Sequence, residues 1–171
     1  MSSGDGDKPE VMWAGKYIRA IKRGRWEYAS RTRDIRAVVI LAEIDGKIIL
    51  IDQPRVPIGK RCLELPAGLV GDEDEKATVE DTAIKELEEE TGYTATHIER
   101  LGDFYSSPGM VAEGFTLVRA TGLTKIGDGG GTDSEDITIH LVARDDIPAL
   151  VQTMRGQGVG IDSKIALFLD L

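Results

Sequence analysis

The sequence predicts an α/β (α+β) domain in which a mixed β-sheet lies between helices. Strand-like segments dominate the 171 residues, and the helical segments do not alternate with them as they would in a doubly wound sheet. Only Ala77–Gly92 has the apolar spacing of a long helix. We expect residues 1–10 to form a disordered tail, 11–33 a β arm, and 34–171 the main domain.

Turn signals separate the first strands. Val11–Arg31 alternates between polar and apolar residues around a central turn, which predicts a hairpin or two strands. Arg36–Arg55 predicts a stronger hairpin, because two β-branched runs flank Asp45 and Gly46, a favoured turn pair. Arg61–Gly68 predicts a short strand that a proline ends.

The long predicted helix is followed by further strands and two shorter helices. Its apolar stripe consists of Val79, Ala83, Ile84 and Leu87, and Gly92 suits the position just after the helix end. Strands are predicted at Thr96–Tyr105, Gly114–Ala120 and Asp136–Ala143, and helices at Asp145–Arg155 and Ser163–Leu171. A mobile glycine-rich loop is predicted at Ile126–Asp136.

The composition is that of a soluble globular protein, with 41% apolar and 30% charged residues. The single cysteine, Cys62, excludes an internal disulfide, and with two histidines it cannot complete the usual zinc ligand set. The apolar run Ala37–Ala42 has only the length of a strand, so we expect no membrane partner. The N-terminus lacks a signal-peptide pattern, so we expect a cytoplasmic location.

The net charge of −9 is concentrated in one segment. Residues 72–90 contain ten acidic residues and two lysines, whereas residues 16–36 contain eight basic ones. A basic stretch of this kind can bind nucleic acid. A solvated basic strand pair is the favoured interpretation in so acidic a chain, and we expect no nucleic-acid partner.

Four glutamates crowd the end of the predicted helix. Neighbouring carboxylates on a helix repel at roughly 0.2–0.5 kcal/mol per pair, and the macrodipole is also negative at this end. Glu86, Glu89 and Glu90 share one face. A hard divalent cation would offset both effects; a solvated acidic helix end is the simpler alternative.

The segment Gly68–Tyr93 resembles the signature of Nudix hydrolases, in which a glycine and a spaced acid precede R-E-U-x-E-E-x-G-U, with U apolar. The tail matches at Lys85, Glu86, Leu87, Glu89, Glu90, Gly92 and Tyr93. The chain departs in having lysine for arginine and three extra residues between Gly68 and Lys85; Asp74 and Glu75 are both candidate acidic partners of that lysine. The resemblance implies that magnesium, with manganese as a substitute, is bound by the ligands Glu86, Glu89, Glu90 and the carbonyl of Ala67.

The resemblance extends to ADP-ribose pyrophosphatases and related nucleoside-diphosphate-sugar hydrolases. It implies that Arg55 binds phosphate and that "SSPGMVAEG" contributes substrate contacts. These contacts are Pro108, Gly109, Met110 and Glu113. The alternative interpretations are an exposed strand-end arginine for Arg55, a simple Pro-Gly turn for Pro108 and Gly109, and a surface acid for Glu113.

The segment "GRWEYASR" resembles a stretch whose tryptophan stacks on adenine, often from the partner subunit. The resemblance implies that Trp26 stacks while Glu27 and Arg31 contact the base or the phosphates. A homodimer is therefore expected, with the β arm crossing between subunits. A core position for Trp26 is the alternative.

The segment "TDSEDITIH" resembles the late loop of the family, and with the preceding glycines we call residues 126–136 the late loop. A disordered hairpin loop is the alternative interpretation. The resemblance implies that Asp133 is the catalytic base and that Glu135 contacts metal and takes part in catalysis with Glu89. The expected reaction is magnesium-dependent hydrolysis of ADP-ribose to AMP and ribose 5-phosphate. The alternatives are hydrolysis of another nucleoside diphosphate sugar, such as GDP-mannose, and a catalytically silent nucleotide-binding module.

Overall fold

The computed structural model describes residues 8–33, 35–72, 74–132 and 135–169. The strands are β1 Glu10–Ala14, β2 Ile18–Arg23, β3 Trp26–Arg31, β4 Ala37–Ile44, β5 Lys47–Arg55, β6 Lys60–Glu64, β7 Ala67–Leu69, β8 Tyr93–Thr94, β9 His97–Tyr105, β10 Gly114–Thr121, β11 Thr124–Lys125, β12 Thr138–Ala143 and β13 Gly160–Ile161. The helices are α1 Val79–Thr91 and α2 Ile147–Gly156, with 3₁₀ turns at Val56–Ile58, Arg144–Asp146 and Ser163–Phe168.

The main sheet is mixed, with strand order β13-β6-β5-β4-β10-β9. β10 runs parallel to β4 and β13 parallel to β6, whereas the other pairs are antiparallel. β4 and β5 pair with each other only beside their turn, at Glu43↔Ile48 and Ile44↔Lys47. Farther along, β4 pairs with β7 and β5 pairs with β6, so these two strands part where the candidate site lies. β12 pairs with the other edge of β5.

Strand alternation divides the core between the two faces of the sheet. Val38 and Ile40 of β4 pack with Leu87 of α1, whereas Val39 packs with Val151 of α2. Successive side chains of a strand point to opposite faces, so β4 serves both halves of the core. The predicted mixed sheet between helices is confirmed.

Local signals define both ends of α1. Thr78 accepts a hydrogen bond from the backbone N–H of Asp81, whose side chain accepts one from Thr78 N–H, which forms a capping box. At the other end Gly92 adopts the left-handed conformation, with φ of +73°, and donates to Glu88 O. The helix therefore ends where the sequence predicts it.

Both ends of the chain differ from the prediction. The arm forms a three-stranded antiparallel sheet, because a second turn precedes β2. The predicted C-terminal α-helix is wrong: Ser163–Phe168 is a 3₁₀ turn, whose buried Ile165 and Phe168 are three residues apart and so lie on one side. No helix among the described residues combines the length and apolar character that a transmembrane helix needs.

Candidate active site

A cavity of about 560 Å³ lies between the end of α1, β7 and the loop that precedes β12. The metal ligands expected from the sequence all line it: Ala67, Glu86, Glu89, Glu90 and Glu135. Arg55 stands at its edge. The fold thus brings these residues together from β5, β7, α1 and the late loop.

Glu90 is the buried carboxylate of this cavity, with only 4% of its surface exposed. It shares the inner face of α1 with Leu87 and Ala83, three and seven residues earlier. Its Oε2 accepts a hydrogen bond of 3.0 Å from Ala67 N–H. Burial, helped by repulsion from Glu86 and Glu135, outweighs that bond and the attraction of Arg55 and raises the pKa of Glu90 to about 8.

Glu86 lies directly against the backbone of Gly68. A Cβ atom added to Gly68 would come 2.0 Å from Glu86 Oε1 and 2.3 Å from its Cγ. A glycine at this position therefore gives Glu86 access to the floor of the cavity. Glu89, one turn away, pairs with Lys85 at 3.5 Å.

The late loop is docked on the end of α1. Ile126 and Gly127 donate backbone hydrogen bonds to Gly92 O, at 2.8 and 3.1 Å. Gly130 and Gly131 donate to the carbonyls of Glu90 and Glu89, each at 2.9 Å. The sequence predicted a mobile loop, but residues 126–131 are tied to the helix. Their N–H groups satisfy terminal carbonyls and so offset the negative end of the helix beneath the glutamates.

Close approach of the loop requires glycine on both sides. A Cβ atom on Gly92 would meet Gly127 O at 2.3 Å, and one on Gly129 would meet Thr91 C at 2.4 Å. Both contacts are far shorter than van der Waals distance. These glycines thus permit the docking that holds the loop in place.

Glu135 accepts hydrogen bonds from a residue of its own loop. Its Oε2 accepts hydrogen bonds from Thr132 N–H, at 2.8 Å, and from Thr132 Oγ1, at 3.1 Å. Asp133, the other acid expected to act in catalysis, lies outside the described residues.

Arg55 is held by a buried acid that sequence reasoning missed. Its Nε and Nη2 donate to the two carboxylate oxygens of Glu64, at 2.8 and 2.6 Å. This pairing, which outweighs burial, raises the pKa of Arg55. A glutamate between buried Cys62, Leu63 and Leu65 was the available signal, since a buried acid needs a cationic partner.

A second cavity, of about 400 Å³, adjoins the first and shares Arg55 and Ala67–Leu69 with it. Arg31 and Glu113 line it and hydrogen-bond to each other. Lys164, which the sequence analysis did not single out, lines it as well. The two cavities together form a cleft. Acids predominate in the first cavity, whereas the second is lined by both basic side chains and acids: Arg31, Arg55, Lys164, Glu64, Glu113 and Asp162.

The remaining residues expected to bind substrate lie outside both cavities in the single chain. Trp26 is 55% exposed on β3, so its alternative as a core residue is wrong. Glu27 is exposed beside it, and so are the members of the turn at Pro108, Gly109 and Met110. Backbone hydrogen bonds join Ala29 of β3 to Met110 and Ala112, at 2.9 Å each. The arm is thereby attached to the main domain.

The donor set of the first cavity fits a hard divalent cation. It consists of carboxylates and a backbone carbonyl, the oxygen ligands that magnesium prefers. Burial and the neighbouring Glu86 and Glu135 raise the pKa of Glu90, so a cation beside it would favour its charged form. Among the described residues, no three acidic, histidine or cysteine side chains already converge as an ion would require. Like charges keep the carboxylates apart, and glutamate side chains turn readily about their bonds, so these donors can still close on a cation.

The comparison with known families and proteins identifies the fold and its relatives. The NUDIX domain model matches residues 32–156. An uncharacterized Nudix hydrolase of Schizosaccharomyces pombe is 43% identical over 103 residues, which are 56% of this chain and 49% of that protein. An ADP-ribose pyrophosphatase of Bacillus subtilis is 46% identical over 78 residues, 45% of this chain and 40% of that protein. The aligned regions therefore span less than half of either relative.

The structural comparison agrees. The crystal structure of an ADP compounds hydrolase superposes with a TM-score of 0.64 over 91% of this chain and 99% of that one, at 19% identity, which speaks for the fold alone. The family-model match over residues 32–156, most of the chain, shows that this chain belongs to the Nudix domain family.

Proposed function

We propose that this protein hydrolyses the pyrophosphate bond of ADP-ribose and releases AMP and ribose 5-phosphate, with magnesium as its cofactor. The observation that carries the proposal is the gathering of Glu86, Glu90 and Glu135 at one cavity with Arg55 at its edge. The name of the Bacillus subtilis relative supports the choice of substrate.

The ligands proposed for the cation are the residues that line the acidic cavity: Ala67 through its carbonyl, Glu86, Glu89, Glu90 and Glu135. Magnesium, when bound, supplies Lewis acidity at the phosphates and makes water a stronger nucleophile. A bound cation would stabilise the ionised form of Glu90 most, because burial makes that carboxylate costly to ionise.

Arg55 is proposed to bind a phosphate of the substrate. Glu64 fixes the guanidinium through Nε and Nη2, and Nη1 takes no part in that pair. A guanidinium held in this way costs less entropy to organise when a phosphate oxygen arrives. Arg55 also borders both cavities, so it stands where a diphosphate would pass from one to the other.

The proton of the attacking water goes to a general base, for which Asp133 and Glu135 are the candidates. Glu135 lies at the acidic cavity, and Asp133 precedes it by two residues. Glu89 is proposed to assist at the same place. A carboxylate suits the task when its pKa is near the working pH and it lies within hydrogen-bond reach of the water.

The nucleoside end of the substrate is proposed to lie along the second cavity. Arg31 and Glu113 would contact it there, and Trp26 would stack on the adenine with Glu27 beside it. The turn residues Pro108, Gly109 and Met110 would border this end. Base–aromatic stacking contributes roughly 1–3 kcal/mol per base in nucleic-acid complexes.

The exposed position of Trp26 supports a homodimer in which the arm serves the neighbouring subunit. Large apolar side chains are exposed along the arm: Val11, Met12, Trp13, Tyr17, Ile18 and Trp26. Exposed apolar side chains gathered on one segment are typical of interaction sites. Sedimentation at micromolar concentration should give a dimer, and a monomer would contradict this assembly.

A panel of nucleoside diphosphate compounds, tested with magnesium and read out as phosphate released after phosphatase treatment, tests the proposal. ADP-ribose should be cleaved with the highest kcat/KM. Preference for GDP-mannose would favour the alternative substrate. Binding of nucleotides by the folded protein without any cleavage would favour the silent binding module.

A further inference from the structure

A side chain outside the acidic cavity holds the far end of the late loop. Arg61, on β6, lines neither cavity. Its Nη1 donates to Asp136 Oδ2 at 2.6 Å, and its Nη2 donates to Asp136 O at 2.9 Å and Thr138 Oγ1 at 3.2 Å. One guanidinium therefore binds both the residue that follows Glu135 and the start of β12.

The same guanidinium is fixed from behind by Asp52 of β5. Arg61 Nε donates to the Asp52 carboxylate and Nη2 donates to Asp52 O at 2.8 Å. Asp52 is 4% exposed and is also 2.7 Å from His140 Nε2. Burial by itself would raise the pKa of Asp52, but the bonds with His140 and Arg61 outweigh it and lower that pKa. A buried carboxylate held in this way is a firm support for Arg61.

The late loop is held on both sides of Glu135, by α1 before it and by Arg61 after it. Residues 126–131 are bound to α1 by backbone hydrogen bonds, and Asp136 is bound to Arg61. Only residues 132–135 lie between. Consecutive Cα atoms are about 3.8 Å apart, so fixing Asp136 restricts the backbone of Glu135 directly.

We propose that Arg61 is a positioning residue, which sets the place of Glu135 in the acidic cavity by holding Asp136 and Thr138 against Asp52. The proposal rests on the function proposed above. Arg61 acts through the loop and does not touch the substrate. Its removal should therefore lower kcat while leaving KM nearly unchanged, because substrate binding relies on other residues.

The test compares Arg61→Gln with Arg119→Gln, which breaks an exposed arginine–glutamate pair between β10 and β9 that lies outside both cavities. Hydrogen exchange of peptides that cover residues 126–137 reports the position of the loop without any need for activity. In Arg61→Gln this segment should exchange faster, and kcat should fall about tenfold to a hundredfold, as expected for a catalytic group displaced by about 1 Å. Arg119→Gln should match the wild type in both measurements.

Loss of Arg61 also leaves the buried Asp52 carboxylate with one partner fewer, so a gentler variant is needed. Asp136→Ala removes a single bond from Arg61 and leaves the pair with Asp52 in place. Asp136→Ala should speed exchange and lower kcat, each by less than Arg61→Gln does. Arg61→Lys, which keeps the positive charge, should lower kcat less than Arg61→Gln.

Three results separate failure of the positioning role from failure of the proposed function. Normal exchange and normal kcat in folded Asp136→Ala and Arg61→Gln, beside an active wild type, would overturn the positioning role. So would a lower melting temperature with kcat unchanged, since this would make the contacts merely structural. A folded wild type that cleaves no compound of the panel would instead overturn the proposed function, and the role of Arg61 with it.

Discussion

Gly92 and Gly46 form a matched pair of substitutions that tests how the late loop is held. Both glycines are left-handed, with φ of +73° and +72°. A Cβ atom on Gly46 meets nothing within 4 Å, whereas one on Gly92 meets Gly127 O at 2.3 Å. Alanine at either position pays the same backbone cost, of about 1–2 kcal/mol. Only Gly92→Ala must also displace the loop.

The additional cost follows from the bonds that the loop makes. Two backbone hydrogen bonds end at Gly92 O, and two more join Gly130 and Gly131 to α1. At roughly 1 kcal/mol net per bond, losing two costs about 2 kcal/mol and losing all four costs about 4 kcal/mol. We therefore expect Gly92→Ala to lower the free energy of unfolding by about 3–6 kcal/mol, against about 1–2 kcal/mol for Gly46→Ala.

Urea unfolding of the two variants measures this difference, and turnover of ADP-ribose measures its consequence. Because Glu135 moves with the loop, Gly92→Ala should lose at least about tenfold in kcat, while Gly46→Ala should keep its activity. Equal unfolding free energies for the two variants, with unchanged hydrogen exchange in residues 126–131, would refute the docking of the loop on α1.

Three further predictions concern substitutions of residues proposed to act in the cleft. The pKa of Glu90 is raised in the folded state from 4.5 to about 8. The stability that protonated Glu90 contributes is therefore fully present below pH 4.5 and is lost as pH rises through about 8. In metal-free protein, urea unfolding should show Glu90→Gln to be more stable than the wild type at about pH 9 but not at about pH 4. Trp26→Ala should raise the KM for ADP-ribose by about tenfold or more and spare kcat, as measured by steady-state kinetics, because stacking contributes to binding; an unchanged KM would remove the adenine contact. Of Asp133→Asn and Glu135→Gln, the one that removes the general base should lower kcat by about a hundredfold or more, and pH–rate profiles of both identify it; an unchanged rate for Asp133→Asn leaves the role to Glu135.

Local patterns predicted the parts of the fold that depend on neighbouring residues. The turn at Asp45 and Gly46 and the end of α1 at Gly92 lie where the sequence places them, because each is set by the conformation of one or two residues. The family signature indicated which glutamates line the acidic cavity.

Contacts between distant segments could not be predicted from local pattern. The glycines of residues 127–131 suggested mobility. The N–H groups of Gly127, Gly130 and Gly131 nevertheless bind carbonyls at the end of α1 and at Gly92, about forty residues earlier. Arg55 suggested a free phosphate ligand, yet it is fixed by Glu64 across two strands. In both cases the fold brings the partner into contact. Glu64 is only nine residues from Arg55, but the pairing of β5 with β6 is what places the two side chains together.

Separation of the products formed from ADP-ribose tests the central claim most directly. The purified wild type, supplied with magnesium, should yield AMP and ribose 5-phosphate in equal amounts, and EDTA should abolish the reaction. Glu86→Gln, which keeps the shape of the side chain against Gly68 but removes its charge, should be at least about a hundredfold slower. ADP-ribose left intact by the folded wild type, or cleaved as fast by folded Glu86→Gln, would contradict the assignment of the acidic cavity as the catalytic centre.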